Sequence, residues 1–334
     1  MNAQPPVPPI SDCSSLLVEQ FKVNPNQFDL IDEGGNSQSF KVSTDEGRHF
    51  ILKRVAHQDG QQLEEAFILL HHLRTARKFN DIVSPLRGEN GRFLQSFPPH
   101  QLTLTPFVNG TPLTNEYPIP EEYETAVAST LAHLHDSLYT TSFLPADPKH
   151  VPQKVDFQDE LQTILSYLTL NSENQSPLQL EIVNQLQENK ASIKQEIEII
   201  EQLVKQKPSH FSSSVLVHGN LNGRYLLKSP QKGLRIINWS NLQAASPEKD
   251  LFWFVHQSDQ FFSAYSRRRM PGFQVTPHRL EQYFRIHRMD HIINQCQRLF
   301  HPSTTNNKQI LAHQSLQKLL PLEKNEPDFQ RFGN

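Results

Sequence analysis

The sequence predicts an α+β protein in two lobes, a small antiparallel-sheet N-terminal lobe over residues 13–108 and a larger, mostly helical C-terminal lobe over residues 109–334. Three observations carry this expectation. Short alternating or apolar segments crowd the stretch before Phe107 with one helix among them. Long runs with apolar residues recurring near every 3.6 positions dominate beyond Asn109. A chain of 334 residues is also long enough for about two domains.

Residues 1–12, rich in proline, read as a disordered leader. Ser14–Phe21 carries Leu16, Leu17 and Phe21 at helical spacing. Phe28–Glu33, Ser39–Ser43 and His49–Val55 read as strands, separated by Gly34-Gly35-Asn36 and by Thr44-Asp45-Glu46-Gly47, the latter a hairpin turn. Gln61–Arg77 is a helix with Leu63, Phe67, Leu70 and Leu73 on one face. Ile82–Leu86, Gly91–Gln95 and Leu102–Phe107 return to strand. Strands with one helix between them imply an antiparallel α+β lobe, expected to hold a five-stranded sheet. Asn109-Gly110-Thr111-Pro112 marks the lobe boundary. Glu121–Leu138 and Phe157–Leu170 read as helices, and Leu178–Gln206 as one long helix stopped by Pro208. A β-like island covers Ser214–Val217, Tyr225–Lys228 and Leu234–Trp239, and Pro247–Leu320 is helical again.

Thirty-two Lys and Arg against 35 Asp and Glu leave a net charge of −3, which argues against a nucleic-acid binder. Two cysteines, Cys13 and Cys296, exclude a disulfide framework and a cysteine-built zinc site. No apolar stretch approaches the roughly 18 residues of a membrane span, and the N-terminus lacks the pattern of a signal peptide. These features predict a cytoplasmic protein that partners neither nucleic acid nor membrane. With 12 glycines against 24 prolines, there is little room for glycine-rich nucleotide loops.

Three segments carry chemistry. Phe50-Ile51-Leu52-Lys53 is an apolar strand ending in a lysine, the placement a phosphate-binding cation needs, with Glu64 and Glu65 on the next helix as candidate partners. The second segment is Val217-His218-Gly219-Asn220-Leu221-Asn222-Gly223-Arg224-Tyr225-Leu226-Leu227. The third is Ile236-Ile237-Asn238-Trp239, followed by Ser246-Pro247-Glu248-Lys249-Asp250-Leu251.

In this order and spacing the chain resembles the aminoglycoside phosphotransferase and choline kinase superfamily, small-molecule kinases with a protein-kinase-like fold, from about Phe28 to Leu299. That family's catalytic loop reads His-Gly-Asp-(Leu/Phe)-His-x-x-Asn-(Ile/Leu)-Leu and its metal strand Ile-Asp-Trp. The resemblance implies ATP and Mg²⁺ as cofactors, Lys53 with Glu64 at the phosphates, a phosphate loop near Gly35, and adenine held by the Pro106 carbonyl and Val108 N–H. It also implies that His218 is structural and that Asp250 tethers the catalytic loop. Each chemical position departs from the pattern. Asn220 stands where the base would be, Tyr225 replaces the amide metal ligand, and Asn238 replaces the metal-holding aspartate. An amide takes no proton at neutral pH, and a site without a carboxylate holds Mg²⁺ weakly.

Three joint departures in a preserved frame read as a pseudokinase, a binding or assembly module for a small molecule or protein, without phosphoryl transfer. The alternatives are an active kinase with an atypical metal site and a structural protein of the spore coat kinase-like branch, which would place the chain in the spore coat. Other features have bland readings beside these. Gly34–Ser37 fits an ordinary hairpin, Arg267-Arg268-Arg269 a solvated face, and His287 and His291, at i and i+4 without an intervening Glu, a surface or packing role. His71 with His72, and His133 with His135, cannot share one metal.

Overall fold

In the computed structural model the described residues are 9–34, 37–56, 60–76, 78–114, 118–136, 176–206, 215–230, 233–269, 274–301 and 304–332. The chain divides into two compact units. Unit 1 comprises Met1–Asp147, Ser214–Asp250 and Gln257–Pro271, and unit 2 comprises Pro148–Ser213, Leu251–His256 and Gly272–Asn334. This division does not fall at Asn109, because the loop segments 214–250 return to the N-terminal sheet.

The first described element of unit 1 lies partly inside the segment read as a leader, a 3₁₀ turn over Ile10–Cys13 that runs into α1, Ser14–Phe21. Five antiparallel strands follow. They are β1 (Pro25–Gly34), β2 (Ser37–Thr44), β3 (His49–Ala56), β4 (Gln95–Phe97) and β5 (His100–Pro106), in the order β1-β2-β3-β5-β4. Between β3 and β4 lies α2, Gly60–Ala76. Gly47, at φ +72°, closes the β2–β3 hairpin with its N–H on the Thr44 carbonyl at 3.0 Å; at that φ a Cβ is unfavourable. The β3–β5 register pairs Leu52 with Leu104 and Lys53 with Thr103. Because side chains alternate between faces, Phe50, Leu52, Leu102 and Leu104 cover one face, where they bury Cys13 and Leu17. Ile51, Lys53, Thr103 and Thr105 are left to line a cavity on the other.

Ile82–Leu86 is not a strand. Apart from a local bond from the Ile82 N–H to Phe79, it donates to two different elements, Val83 N–H to Ile236 and Leu86 N–H to Leu104, so it splices the sheet to the later loops without extending a ladder. Beyond it lie β6 (Thr111–Pro112) and α3 (Glu121–His135). The later part of unit 1 holds β7 (Val215–Val217), β8 (Leu226–Ser229), β9 (Gly233–Ile236) and β10 (Gln243–Ala245), where β10 pairs with β7 and β8 pairs with both β6 and β9. α3 packs near a helix over Asp259–Arg268, tied to it through Glu124, which accepts from Gln257 Nε2 at 2.5 Å and from the Ser258 hydroxyl.

Unit 2 is helical. Pro177–Glu188 and Lys190–Lys205 are two helices, not the single run the periodicity predicts. The break is at Asn189, whose side-chain amide donates to the Gln185 carbonyl at 2.8 Å. A capping box of Ser176 with Gln179, and Pro177 in the first turn, start the first of them. The helices Pro277–Phe300 and Asn306–Leu319 complete a core of Ile182, Ile197, Met289, Ile293, Leu299 and Leu316. Buried Glu196 accepts from Arg285 Nη1 and Arg288 Nη2, each at 2.5 Å. The expected helix over Phe157–Leu170 lies outside the described residues. Among those described, no helix is long and apolar enough to cross a membrane.

Candidate phosphotransferase-type site

Unit 1 holds a partly open cavity of about 210 Å³ between the inner face of its sheet and the segment 225–240. Ile51, Val83 and Leu227 give it apolar walls. The Phe107 N–H donates back to His49 at 3.1 Å and Leu86 N–H donates to the Leu104 carbonyl at 2.7 Å. Backbone groups alternate in direction along a strand, so the Pro106 carbonyl, at the end of β5, faces away from β3 as the Leu104 carbonyl does. Pro106 and Val108 line the cavity, as does Thr105.

Lys53 projects into the same cavity from β3. Its Nζ donates to Asn238 Oδ1 at 3.0 Å and to Ser240 Oγ at 2.5 Å, and Ser240 Oγ donates to Asn238 Oδ1 at 2.9 Å. Asn238 sits in left-handed backbone geometry, φ 62° and ψ 57°, a conformation Asn tolerates better than most residues. Glu64, expected beside Lys53, serves another partner. Its carboxylate accepts from the Phe93 N–H at 2.9 Å and the Leu94 N–H at 2.8 Å. Glu65 accepts from Gln61 at 3.3 Å. Gly35 lies outside the described residues.

The loop at 218–225 is built around Asp250. This carboxylate is fully buried and accepts from the backbone N–H of His218 at 2.7 Å, from that of Gly219 at 2.8 Å and from His135 Nε2 at 3.2 Å. Burial would raise its pKa; the hydrogen bond from His135, the charges of His135 and His218, and the His218 N–H outweigh it and hold the carboxyl below its usual range. Asp250 therefore ties the loop down. Gly219, at φ +82°, cannot be replaced freely, because a Cβ there would stand 2.3 Å from the Asn241 carbonyl oxygen.

His218 donates from Nε2 to the Ile237 carbonyl at 2.9 Å and packs at a tilt against Trp239, 4.8 Å between ring centroids. Burial pushes its pKa down against the pull of Asp250, and the ring is a strut between two loops. Asn220 follows it, partly exposed. Tyr225 presents its ring to the cavity and stacks on His218 at 6.1 Å between centroids. Among the described residues, no group of three or more His, Cys, Asp or Glu could hold a metal.

The model of the APH phosphotransferase enzyme family matches residues 29–283. The chain belongs to this family. Comparison with curated protein sequences gives no match. Among solved structures it is similar to spectinomycin phosphotransferase APH(9)-Ia in complex with ADP and spectinomycin (TM-score 0.70, 15% identity, 93% of this chain and 96% of that one). It is also similar to the amicoumacin kinase hAmiN in complex with AMP-PNP, Ca²⁺ and Ami (TM-score 0.60, 10% identity, 96% of each chain). An aminoglycoside phosphotransferase from Alicyclobacillus acidocaldarius aligns over 96% of each chain with a TM-score of 0.53 at 16% identity. At these identities the likeness is one of fold, an antiparallel-sheet N-terminal region followed by a helical C-terminal region.

Set on the phosphotransferase frame, the nucleotide and metal halves of the site separate. The cavity's apolar walls, Pro106, Val108 and Lys53 suit an adenine nucleotide. Asn220, Tyr225 and Asn238 do not suit Mg²⁺, which is usually held through one or two carboxylates beside phosphate oxygens, whereas these three side chains carry no negative charge. Three residues escaped the sequence reading. Ser240 joins the Lys53–Asn238 contact, and only its place two residues after Asn238 hinted at it. His135, set aside as a metal ligand, supports Asp250 from α3 and shares a 2.7 Å hydrogen bond with Tyr265, whose hydroxyl burial holds well above its usual pKa. Thr103 is buried beside Lys53, and nothing in its local sequence marks it. Elsewhere, Arg269 pairs with Asp136 and is not solvated. His287 packs against Trp253 at 4.3 Å, and burial pushes its pKa down to about 3, a packing role.

Proposed function

We propose that this chain is a phosphotransferase-fold protein that binds a ligand and transfers no phosphoryl group, a pseudokinase serving as a binding or assembly module for a small molecule or a protein partner. An assembly role of the spore coat kind would be the same reading with a protein as the partner. One observation carries it: the lysine that would meet phosphate is held by an amide and a hydroxyl, Asn238 and Ser240, where a metal-holding carboxylate would stand. Asn220 at the base position adds to it. A general base is typically worth about 10²–10⁴ in rate, and an amide supplies none of that. Without an anionic clamp, charge developing on a transferred phosphoryl group has no metal to neutralise it.

Several similar structures are those of phosphotransferases and kinases, so the active alternative sets the test. The unmodified chain is incubated with ATP, Mg²⁺ and aminoglycoside, choline-like or sugar acceptors, and no turnover above background is expected. The triple variant Asn220→Asp, Tyr225→Asn, Asn238→Asp should gain Mg²⁺-dependent ATP binding. Robust phosphorylation by the unmodified chain, abolished by Asn238→Ala, would overturn the reading.

A further inference from the structure

Unit 1 carries a second cleft, open and of about 390 Å³, that shares no described lining residue with the cavity holding Lys53. Its volume falls within the roughly 300–1,000 Å³ of small-molecule sites. Ser129, His133 and Asp136 line it from α3, where spacings of four and three residues place them on one face. Thr130 lies beside them. Asp81 lines it from the turn before Ile82, and Arg268 from the last turn of the helix Asp259–Arg268. His135, which supports Asp250, lies outside that stripe, so the cleft is also distinct from the anchor of the 218–225 loop.

The charges of this cleft do not cancel. Asp81 Oδ1 meets Arg235 Nη1 at 3.4 Å, its Oδ2 accepts from the Thr130 hydroxyl at 3.1 Å, and Asp136 pairs with Arg269. Arg235 is fixed in turn, since its Nη1 also donates to the Asn80 carbonyl at 2.6 Å. Each acid therefore has its own arginine. Arg268 is left over: it is exposed and, among the described residues, its guanidinium has no ion pair or hydrogen bond. A ligand with an anionic group completes that balance, whereas a cation would meet an uncompensated arginine.

A second observation concerns the neutral groups. Among the described residues neither Ser129 nor His133 makes a side-chain hydrogen bond, although they stand one turn apart on the same wall. The His133 ring packs at a tilt on buried Phe79, 4.5 Å between centroids, which positions it without engaging its nitrogens. A carboxylate offers about four acceptor sites, so Asp81 and Asp136 keep capacity beyond their present partners. Carboxylate oxygens accept only from donors, and hydroxyl groups are donors that bring no charge. A bare anion would leave that capacity unused and would face two carboxylates.

We propose that this cleft binds a small polyhydroxylated anion, of the class of sugar phosphates and sugar acids. Arg268 meets the anionic group, and Asp81, Asp136, Ser129 and His133 take the hydroxyls. The site is independent of whether the Lys53 cavity transfers a phosphoryl group. The test titrates the full chain calorimetrically with glucose 6-phosphate and with gluconate, and with glucose and inorganic phosphate as the two halves of the recognition.

At least one of the two sugar anions is expected to bind tenfold or more tightly than either glucose or inorganic phosphate, and which of them does so identifies the anionic group. Arg268→Met should weaken that ligand at least tenfold and leave the melting temperature of the ligand-free chain unchanged, because the side chain it removes has no partner there. Ser129→Ala should weaken it threefold or more and leave the affinity for inorganic phosphate unchanged. Binding by neither sugar anion would overturn the proposal. Inorganic phosphate binding as tightly as the sugar anions would reduce the site to one exposed arginine and overturn it, and glucose binding as tightly would remove the role of Arg268. Lys53→Met should leave the affinity unchanged; a tenfold loss there would put the ligand in the other cavity and overturn the assignment.

Discussion

Replacing Asp250 by asparagine tests the architecture of the loop at its anchor. The carboxylate accepts three hydrogen bonds, from His218 N–H, Gly219 N–H and His135 Nε2, at 2.7, 2.8 and 3.2 Å in a fully buried setting. Hydrogen bonds to a charged acceptor contribute about 1.5–3 kcal/mol each. Asparagine keeps one acceptor oxygen but turns an NH₂ group toward donors, so at least one bond is lost and a donor–donor contact replaces it. A destabilisation of about 3–5 kcal/mol follows, the range found when a buried charged partner is removed. Urea unfolding, followed by the fluorescence of Trp239 beside the loop in a Trp253→Phe background, measures it, and exchange of the His218 and Gly219 amides reports the same loss locally. The pH dependence supplies a second check. The Asp250 carboxyl is held below its ordinary 3.8 in the folded chain, so its stabilisation is fully present above about pH 4 and disappears as pH falls through the lower folded value. The gap between the wild type and Asp250→Asn should therefore stay constant at neutral pH and narrow only below about pH 4. A loss under about 1 kcal/mol, or a gap that narrows near pH 7, would refute the reasoning.

Three further outcomes are expected. Gly219→Ala should destabilise unit 1 by about 1–3 kcal/mol or more, because φ is +82° and the new Cβ would meet the Asn241 carbonyl oxygen at 2.3 Å; thermal unfolding measures this. Cys13 and Cys296 are fully buried and burial pushes both thiols up to about 12, so neither should react with a thiol reagent at pH 8 until denaturant is added. Glu196→Gln leaves Arg285 and Arg288 with a neutral partner in a buried site, which should cost unit 2 about 3–5 kcal/mol in urea unfolding and leave the Trp239 environment unchanged.

Local signals in the sequence reached the elements whose partners are local. The bounds of α1 follow from the spacing of Leu16, Leu17 and Phe21, and the alternation in Phe50–Lys53 is what turns Lys53 away from the core that holds Leu52. Where a segment's hydrogen bonds go elsewhere, periodicity misleads. Ile82–Leu86 has the composition of a strand, yet its non-local N–H bonds go one to Ile236 and one to Leu104, on different elements. The apolar stripe from Ile182 to Val204 runs on through Asn189, although the backbone of that residue, at φ −91° and ψ 7°, leaves the helical region. The site divides the same way. That Lys53 faces a cleft was legible, but its partner stands 185 residues away, and no pattern near Lys53 selects Asn238 over Glu64. Glu64 looked suitable because it is acidic and near in sequence; the open amides of Phe93 and Leu94 claim it.

The residues of the loop separate by what they face. His218, Gly219 and Asp250 hold one another through bonds that folding itself requires, with Trp239 packed against them. Tyr225 and Asn238 face the cavity, and Asn220 is partly open, so their chemistry can differ while the loop stays in place. Asn238 makes the separation most plainly. Its backbone adopts a left-handed conformation that only a few residue types, Asp and Asn among them, accept without strain. An amide there meets the same backbone demand that a carboxylate would and still offers Oδ1 to Lys53, but it withholds the negative charge. The lysine is thereby held in position by a neutral oxygen where a carboxylate would also have satisfied the backbone.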